Sequence, residues 1–383
     1  MNILLIIPEN TGTIASISHD LYNGLCQQAN TKVYVACLGE YSLNGFQFQN
    51  VFIIKGHNTN IFSKLYHRIY KLRKIKKELH INLTISTLLG ATYWNVLSGI
   101  GESKIGVFHT KLSQRKSAGY STYFISYIVT KVLCMYLSKL IAVNKSAYDD
   151  LKNLFKRKKE IELVYNIHNF NRITLLSKQP LPNDSEIQLF SRPVILFVGG
   201  LYHNVKGTDR LIKAFAKIKA NSPEFILVFI GEDLDNSLPL LKKIVVEYSM
   251  QDAIFFVGKK SNPYTYMKSA QMLVSPSRDE GLPGVLIEAL SLGVKCVATN
   301  SSEGVWEIMQ CDNEYNPNLM AIKRTQFGFI TPNIIDDEEF TVKCMAEAMK
   351  ECLHTKFDIK GNFNTSRFSA EQIIPHYINV KGV

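Results

Sequence analysis

Two hydrophobic periods alternate along this chain. Short apolar runs read as strands at residues 2–7, 32–38, 82–88, 105–109 and 140–143, with helical patterns between several of them. A second series, at residues 194–198, 225–230, 254–257, 272–275 and 295–298, is separated by helical patterns such as 207–220 and 238–248. Alternation of this kind predicts an α/β protein with parallel, doubly wound sheets. Between the two series, Ser177-Lys178-Gln179-Pro180-Leu181-Pro182-Asn183-Asp184-Ser185 interrupts both periods before Arg192-Pro193. Residues 177–193 are therefore the expected linker between a first Rossmann-like domain over residues 1–176 and a second starting at residue 194. Two such domains facing across a cleft would bind ligand at the carboxyl ends of their strands.

One helical stretch carries a second signal. Residues 61–79 place Ile61, Leu65, Ile69, Leu72, Ile75 and Leu79 at helical spacing, with Lys64, Arg68, Lys71, Lys74 and Lys77 elsewhere. An ordinary helix with a solvated basic face explains the stripe. The basic side, with Tyr66 and Tyr70 beside it, also suits anionic lipid, and Lys111, Arg115 and Lys116 extend that surface or grip the phosphate of a substrate. Residues 117–130 are uncharged and rich in Tyr and Ile, but Lys131 and Lys139 interrupt the run too early for a membrane span. An interfacial segment is the most they form.

Charge sharpens this division. The net charge is +11, and residues 1–190 hold 23 Lys and Arg against 11 Asp and Glu, so the remainder, with 21 against 22, is nearly neutral. A basic half points to nucleic acid, an anionic membrane or a phosphorylated substrate. No nucleic-acid reading motif accompanies it, which disfavours the first. The 383 residues, 46% of them hydrophobic, suffice for two buried cores. The seven cysteines form no Cys-x-x-Cys pair, favouring reduced thiols. The start, Met1 to Pro8, reads as a buried strand without a basic n-region, so the expected location is cytoplasmic.

The candidate chemistry lies in Ser275-Pro276-Ser277-Arg278-Asp279-Glu280-Gly281-Leu282-Pro283-Gly284-Val285-Leu286-Ile287-Glu288, which joins a short buried strand to an apolar helix. Pro283 suits a first helical turn, and free amides at such a helix start can bind a diphosphate. Glu280 falls in the loop, and Glu288 about a turn into the helix. Two solvated acids are the commoner reason for such spacing. Lys206, before Gly207 and after a buried strand, is a second candidate. Asp233-Leu234-Asp235 reads as a polar loop, so no metal cofactor is expected, and no P-loop, dinucleotide fingerprint, nucleophile elbow or His-Glu-x-x-His helix is present.

The segment Glu280-Gly281-Leu282-Pro283-Gly284-Val285-Leu286-Ile287-Glu288 resembles the donor-site signature of retaining glycosyltransferases with the GT-B fold, in the large family usually numbered four. Leu282 stands where the family usually has an aromatic residue, and Pro283 where it has a second Gly. Further similarities are Val198-Gly199-Gly200-Leu201 with Lys206-Gly207, Cys296-Val297-Ala298-Thr299 with Glu307, Val164-Tyr165-Asn166, and Phe368-Ser369 before a last helix. The resemblance implies a second domain over residues 194–365 that binds the nucleotide sugar and a helix over residues 366–383 that returns to the acceptor-binding first domain. It implies that Glu280 holds the sugar, Glu288 the ribose and Lys206 the diphosphate. Gly281, Leu282, Pro283, Gly284, Gly200 and Gly12 would line the donor site, and His109 would orient a hydroxyl or act through its carbonyl. A plain turn explains Gly12 equally well. The family usually has Arg where this chain has Gly200. The implied activity is metal-free transfer of a hexose or N-acetylhexosamine from a UDP-sugar to a glycan or polyprenyl-diphosphate-linked acceptor, as in O-antigen, capsule or exopolysaccharide synthesis, peripheral to the inner face of the cytoplasmic membrane. The missing Arg keeps open a catalytically silent nucleotide-sugar-binding or partner subunit.

Overall fold

The computed structural model describes residues 1–54, 61–113, 120–156 and 158–380. The chain divides into two compact units, residues 1–169 with 366–383 and residues 170–365. The division thus falls before the expected linker. Within residues 177–193, Asp184–Phe190 is a helix, capped by the Asn183 side chain accepting from the Glu186 amide. Glu186 of this helix is buried and binds Lys260 at 2.7 Å and the Tyr266 hydroxyl.

In the first unit, β1 (Asn2–Ile7), β2 (Lys32–Cys37), β3 (Val51–Ile53), β4 (Leu83–Thr87), β5 (Ser103–Phe108), β6 (Lys139–Ala142) and β7 (Glu160–Leu163) form one parallel sheet in the order β3-β2-β1-β4-β5-β6-β7. The order reverses between β1 and β4, which opens a crevice at their carboxyl ends. Side chains alternate between two cores, as strand geometry requires. Ile3, Leu5 and Ile7 pack with Leu21 and Leu25 of helix Gly12–Cys26 and with Ile373, Ile374 and Tyr377 of helix Ala370–Ile378. Leu4 and Ile6 face the other way, toward Leu72 and Ile75 of helix Ile61–Glu78. On the same side, farther along the sheet, Leu140 and Ala142 pack with Cys134 of helix Tyr120–Cys134 and with Leu151 and Phe155 of helix Lys145–Phe155.

In the second unit, β8 (Val194–Val198), β9 (Ile226–Ile230), β10 (Ile254–Phe256), β11 (Met272–Ser275), β12 (Cys296–Thr299), β13 (Lys323–Arg324) and β14 (Gly328–Thr331) form a second sheet in the order β10-β9-β8-β11-β12-β14-β13. It is parallel except for the β13–β14 pair. Here the reversal lies between β8 and β11. Those two strands carry the Lys206 loop and the Glu280 loop, so the topology brings together groups 74 residues apart.

Candidate functional site

From the end of β8 the chain passes through Gly199 and Gly200 into one short helical turn, His203–Lys206. Gly207 closes that turn at φ +61° and starts helix Thr208–Lys219. Only glycine fits there: an added Cβ would lie 2.1 Å from the Pro276 carbonyl oxygen in the loop after β11. That close approach sets Lys206 beside Glu280. Lys206 Nζ donates to Glu280 Oε1 at 2.6 Å, and the buried Ser277 hydroxyl donates to the same oxygen at 2.7 Å.

Arg278 fastens this loop to its neighbours. Its backbone amide donates to the Val205 carbonyl at 2.8 Å, and its guanidinium reaches the His203 carbonyl. The same guanidinium grips both oxygens of Asp209 at 2.9 Å and Glu338 Oε1 at 2.5 Å. Burial pushes the Asp209 carboxyl up, but the Arg278 guanidinium outweighs it and holds that carboxyl below its ordinary range. Asn333 completes the frame by donating to the Arg278 carbonyl at 2.8 Å and accepting from Arg210 at 2.7 Å. Desolvation, and then the adjacent Glu280 charge, raise the Asp279 carboxyl.

Pro283 takes the N-cap position rather than the first turn, with φ −70° and ψ 97°, and helix Gly284–Ser291 begins at the next residue. Leu282 is 9% exposed and packs inward. Gly281 is covered from the far side by helix Glu303–Ile308, whose Gly304 comes so close that an added Cβ would lie 2.2 Å from the Gly281 carbonyl oxygen. Glu288, half-buried, accepts from the Tyr264 hydroxyl at 3.2 Å.

At Gly200 the structure gives a steric reason for the departure from the family pattern. An added Cβ would lie 2.5 Å from Cε2 of Tyr202, whose ring occupies the space into which an Arg at that position would extend. Asp233 and Asp235 serve another helix. Asp233 accepts from the Ser237 amide at 2.7 Å and the Leu238 amide at 3.1 Å at the start of helix Leu238–Glu247, and Asp235 accepts from the Ser237 hydroxyl at 2.5 Å.

In the first unit, Gly12 sits at φ +79° with open space around it, at the start of helix Gly12–Cys26 beyond β1. His109 follows β5 and lines a small cavity with Ser18, Thr87 and Asn166. Its carbonyl accepts from Asn144 Nδ2 at 3.1 Å, while its Nε2 is buried with no hydrogen-bond partner among the described residues. Burial lowers its imidazole to about 4, so the ring is neutral at pH 7. The basic positions behave differently from one another. Arg68 is turned inward: its guanidinium donates to the Leu38 carbonyl at 2.8 Å and lies 5.1 Å from the Trp94 ring centroid. Lys74 lies 3.7 Å from Glu78, Lys77 is exposed, and Lys71 and Lys111 are half-buried. The Lys64 side chain, and Arg115 and Lys116 entirely, lie outside the described residues.

Sequence reasoning missed Ser277, Arg278, Asp209 and Tyr264. Ser277 and Arg278 lie within the motif, but a serine and an arginine in a loop carry no signal until their partners are known.

The chain is 24% identical over 258 residues to an uncharacterized glycosyltransferase of Methanocaldococcus jannaschii, covering 64% of this chain and 62% of that one. A Campylobacter jejuni relative, the GalNAc-alpha-(1->4)-GalNAc-alpha-(1->3)-diNAcBac-PP-undecaprenol alpha-1,4-N-acetyl-D-galactosaminyltransferase, is 23% identical and aligns over 91% of this chain and 92% of its own. The chain spans about three fifths of the length of the first curated relatives it matches. Among solved structures, Anabaena HepE in complex with UDP and glucose superposes with a TM-score of 0.69 at 16% identity, covering 98% of both chains. The fold is thus GT-B, and residues 183–316, which contain Lys206, Glu280 and Glu288, match the family model for glycosyl transferases group 1.

Proposed function

We propose that this chain is a retaining, metal-independent hexosyltransferase that moves a hexose or N-acetylhexosamine from a UDP-sugar to a hydroxyl of a glycan or polyprenyl-diphosphate-linked glycan, in the synthesis of a bacterial surface polysaccharide. The observation that carries this reading is the Lys206–Glu280 contact of 2.6 Å beside the start of helix Gly284–Ser291. Transfer breaks the anomeric carbon–oxygen bond, and the electron pair leaves with the diphosphate. A cation and free helix-start amides meet that developing charge. Lys206 supplies the cation on a flexible stem, only 28% exposed, where its field is little screened. Glu280, fixed by Ser277, is the acceptor of hydrogen bonds from sugar hydroxyls, and Glu288, steadied by Tyr264, takes the ribose. Neutral His109 offers hydrogen bonding without a competing charge.

The relatives support the substrate class. One acts on a diphospho-undecaprenol-linked glycan by its name, and the HepE structure holds UDP. Thermal shift of the purified protein against a panel of nucleotide sugars tests the donor, since a ligand at a hundred times its Kd adds about 2.7 kcal/mol. Stabilisation by UDP-sugars, and UDP release once acceptor is present, is the expected result. Stabilisation without UDP release for any acceptor would favour the silent subunit.

A further inference from the structure

The Asp233-Leu234-Asp235 loop does more than start a helix. It lies against the loop that carries Lys206, with the Leu201 amide donating to the Glu232 carbonyl at 3.0 Å. Asn236, at φ +61°, folds the chain back so that Asp235 meets Ser237 two residues on. Ser237 is 2% exposed, and its hydroxyl is fully used. The one hydroxyl proton goes to Asp235 Oδ1, and one acceptor position takes the His203 amide at 3.3 Å. The other acceptor position meets His203 Nδ1 at 2.8 Å, so that ring nitrogen carries its proton and donates it to Ser237.

His203 is the first residue of the turn that ends in Lys206. Its carbonyl closes that turn by accepting from the Gly207 amide at 3.0 Å, and the Arg278 guanidinium reaches the same oxygen from the loop after β11. Arg278 thus holds the carbonyl side of His203, while Ser237 holds its amide and its ring. A single helical turn is not stable by itself, so its tertiary contacts decide where the Lys206 side chain stands. Gly200, where the family pattern has Arg, adds no charge to this loop. We propose that Asp235, Ser237 and His203 form a brace that positions Lys206 against the donor diphosphate, with His203 the positioning residue and Ser237 and Asp235 its anchor. This rests on the reading of Lys206 given above and extends it to a loop that carries none of the donor-site motif.

The test is calorimetric binding of UDP to the purified full chain, with the melting temperature of every variant measured alongside. Lys206→Ala should weaken UDP binding about tenfold, as loss of a charged hydrogen bond does. His203→Ala and Ser237→Ala should each weaken it about threefold, because Lys206 is still present but less well placed. His203→Asn, whose side-chain amide nitrogen takes the place of Nδ1, should restore wild-type binding. In the Lys206→Ala background His203→Ala should cause no further loss, since a brace acts only through the group it holds. Should His203→Ala fail to fold, Ser237→Ala, which removes a single oxygen atom, carries the same cycle. Unchanged UDP binding in His203→Ala and Ser237→Ala, beside a weakened Lys206→Ala, overturns the brace alone. So does a loss that His203→Asn leaves unrepaired or that persists without Lys206. UDP binding by Lys206→Ala equal to wild type, or none by wild type, instead removes the reading of Lys206 and the brace with it.

Discussion

Removing the Ser277 hydroxyl separates the holding of Glu280 from the folding of the second unit. Ser277 is 1% exposed and donates at 2.7 Å to the same Glu280 oxygen that receives Lys206 at 2.6 Å. A hydrogen bond to a charged group contributes about 1.5–3 kcal/mol. Because Lys206 still satisfies that oxygen in Ser277→Ala, the cost should sit at the low end, about 1.5 kcal/mol. For a unit of this size, residues 170–365, that lowers the melting temperature by about 3–6 °C. Turnover should fall further than stability implies, by about tenfold, because Glu280 is left on one flexible tether and samples other rotamers. Steady-state kinetics on a UDP-sugar with acceptor, beside calorimetric melting, gives both readings. Ser277→Thr, which keeps the hydroxyl, should recover part of kcat. A drop in melting temperature with kcat and KM unchanged would show that Ser277 only fills space and that Glu280 needs no such anchor.

Three further outcomes follow from the same geometry. Arg278→Ala leaves Asp209 buried without its guanidinium, at a cost of about 3–5 kcal/mol in urea denaturation; Asp209, depressed in the folded state, contributes stability fully above its unfolded value near 4 that is lost as pH falls lower, so an Arg278→Ala chain as stable as wild type would refute the frame. His168 is 7% exposed and lowered to about 4 by burial, so between pH 6.5 and 4 the unfolded chain binds a proton that the folded one does not, and the stability lost as pH falls through that window approaches about 3 kcal/mol; His168→Phe should flatten that slope, and an unchanged slope would contradict the assignment. Gly200→Arg should destabilise by forcing Tyr202 aside, whereas Gly200→Arg with Tyr202→Ser should regain stability; equal melting temperatures for the two would mean the ring is no obstacle.

Periodicity made the central strands of both sheets legible, because a strand buried on both faces is a continuous apolar run. It gave nothing for β7, where Glu160 and Glu162 alternate along an edge strand and pair with Lys139, nor for the short β3 and β14. The stretch around Asn183 looked like a linker because a helix cap and a linker share the same polar residues. Glu186 showed its role only once Lys260 and Tyr266 were in place. In the site, the motif pointed to Glu280, Glu288 and Lys206, yet their anchors were invisible, since a hydrogen bond across 74 residues of sequence leaves no local pattern. Arg68 shows the converse: helical spacing put it on a basic face, and a carbonyl and an indole ring drew it inward.

UDP release from a UDP-sugar by wild type and by Lys206→Ala, with acceptor present, bears most directly on the assigned chemistry. Lys206 is part-exposed and its partner remains held by Ser277, so folding should change little. Turnover should fall by roughly a hundredfold to a thousandfold, the loss expected when a group facing developing charge is removed. Wild-type turnover in the Lys206→Ala chain, with its melting temperature unchanged, would contradict the placement of the leaving diphosphate at this lysine.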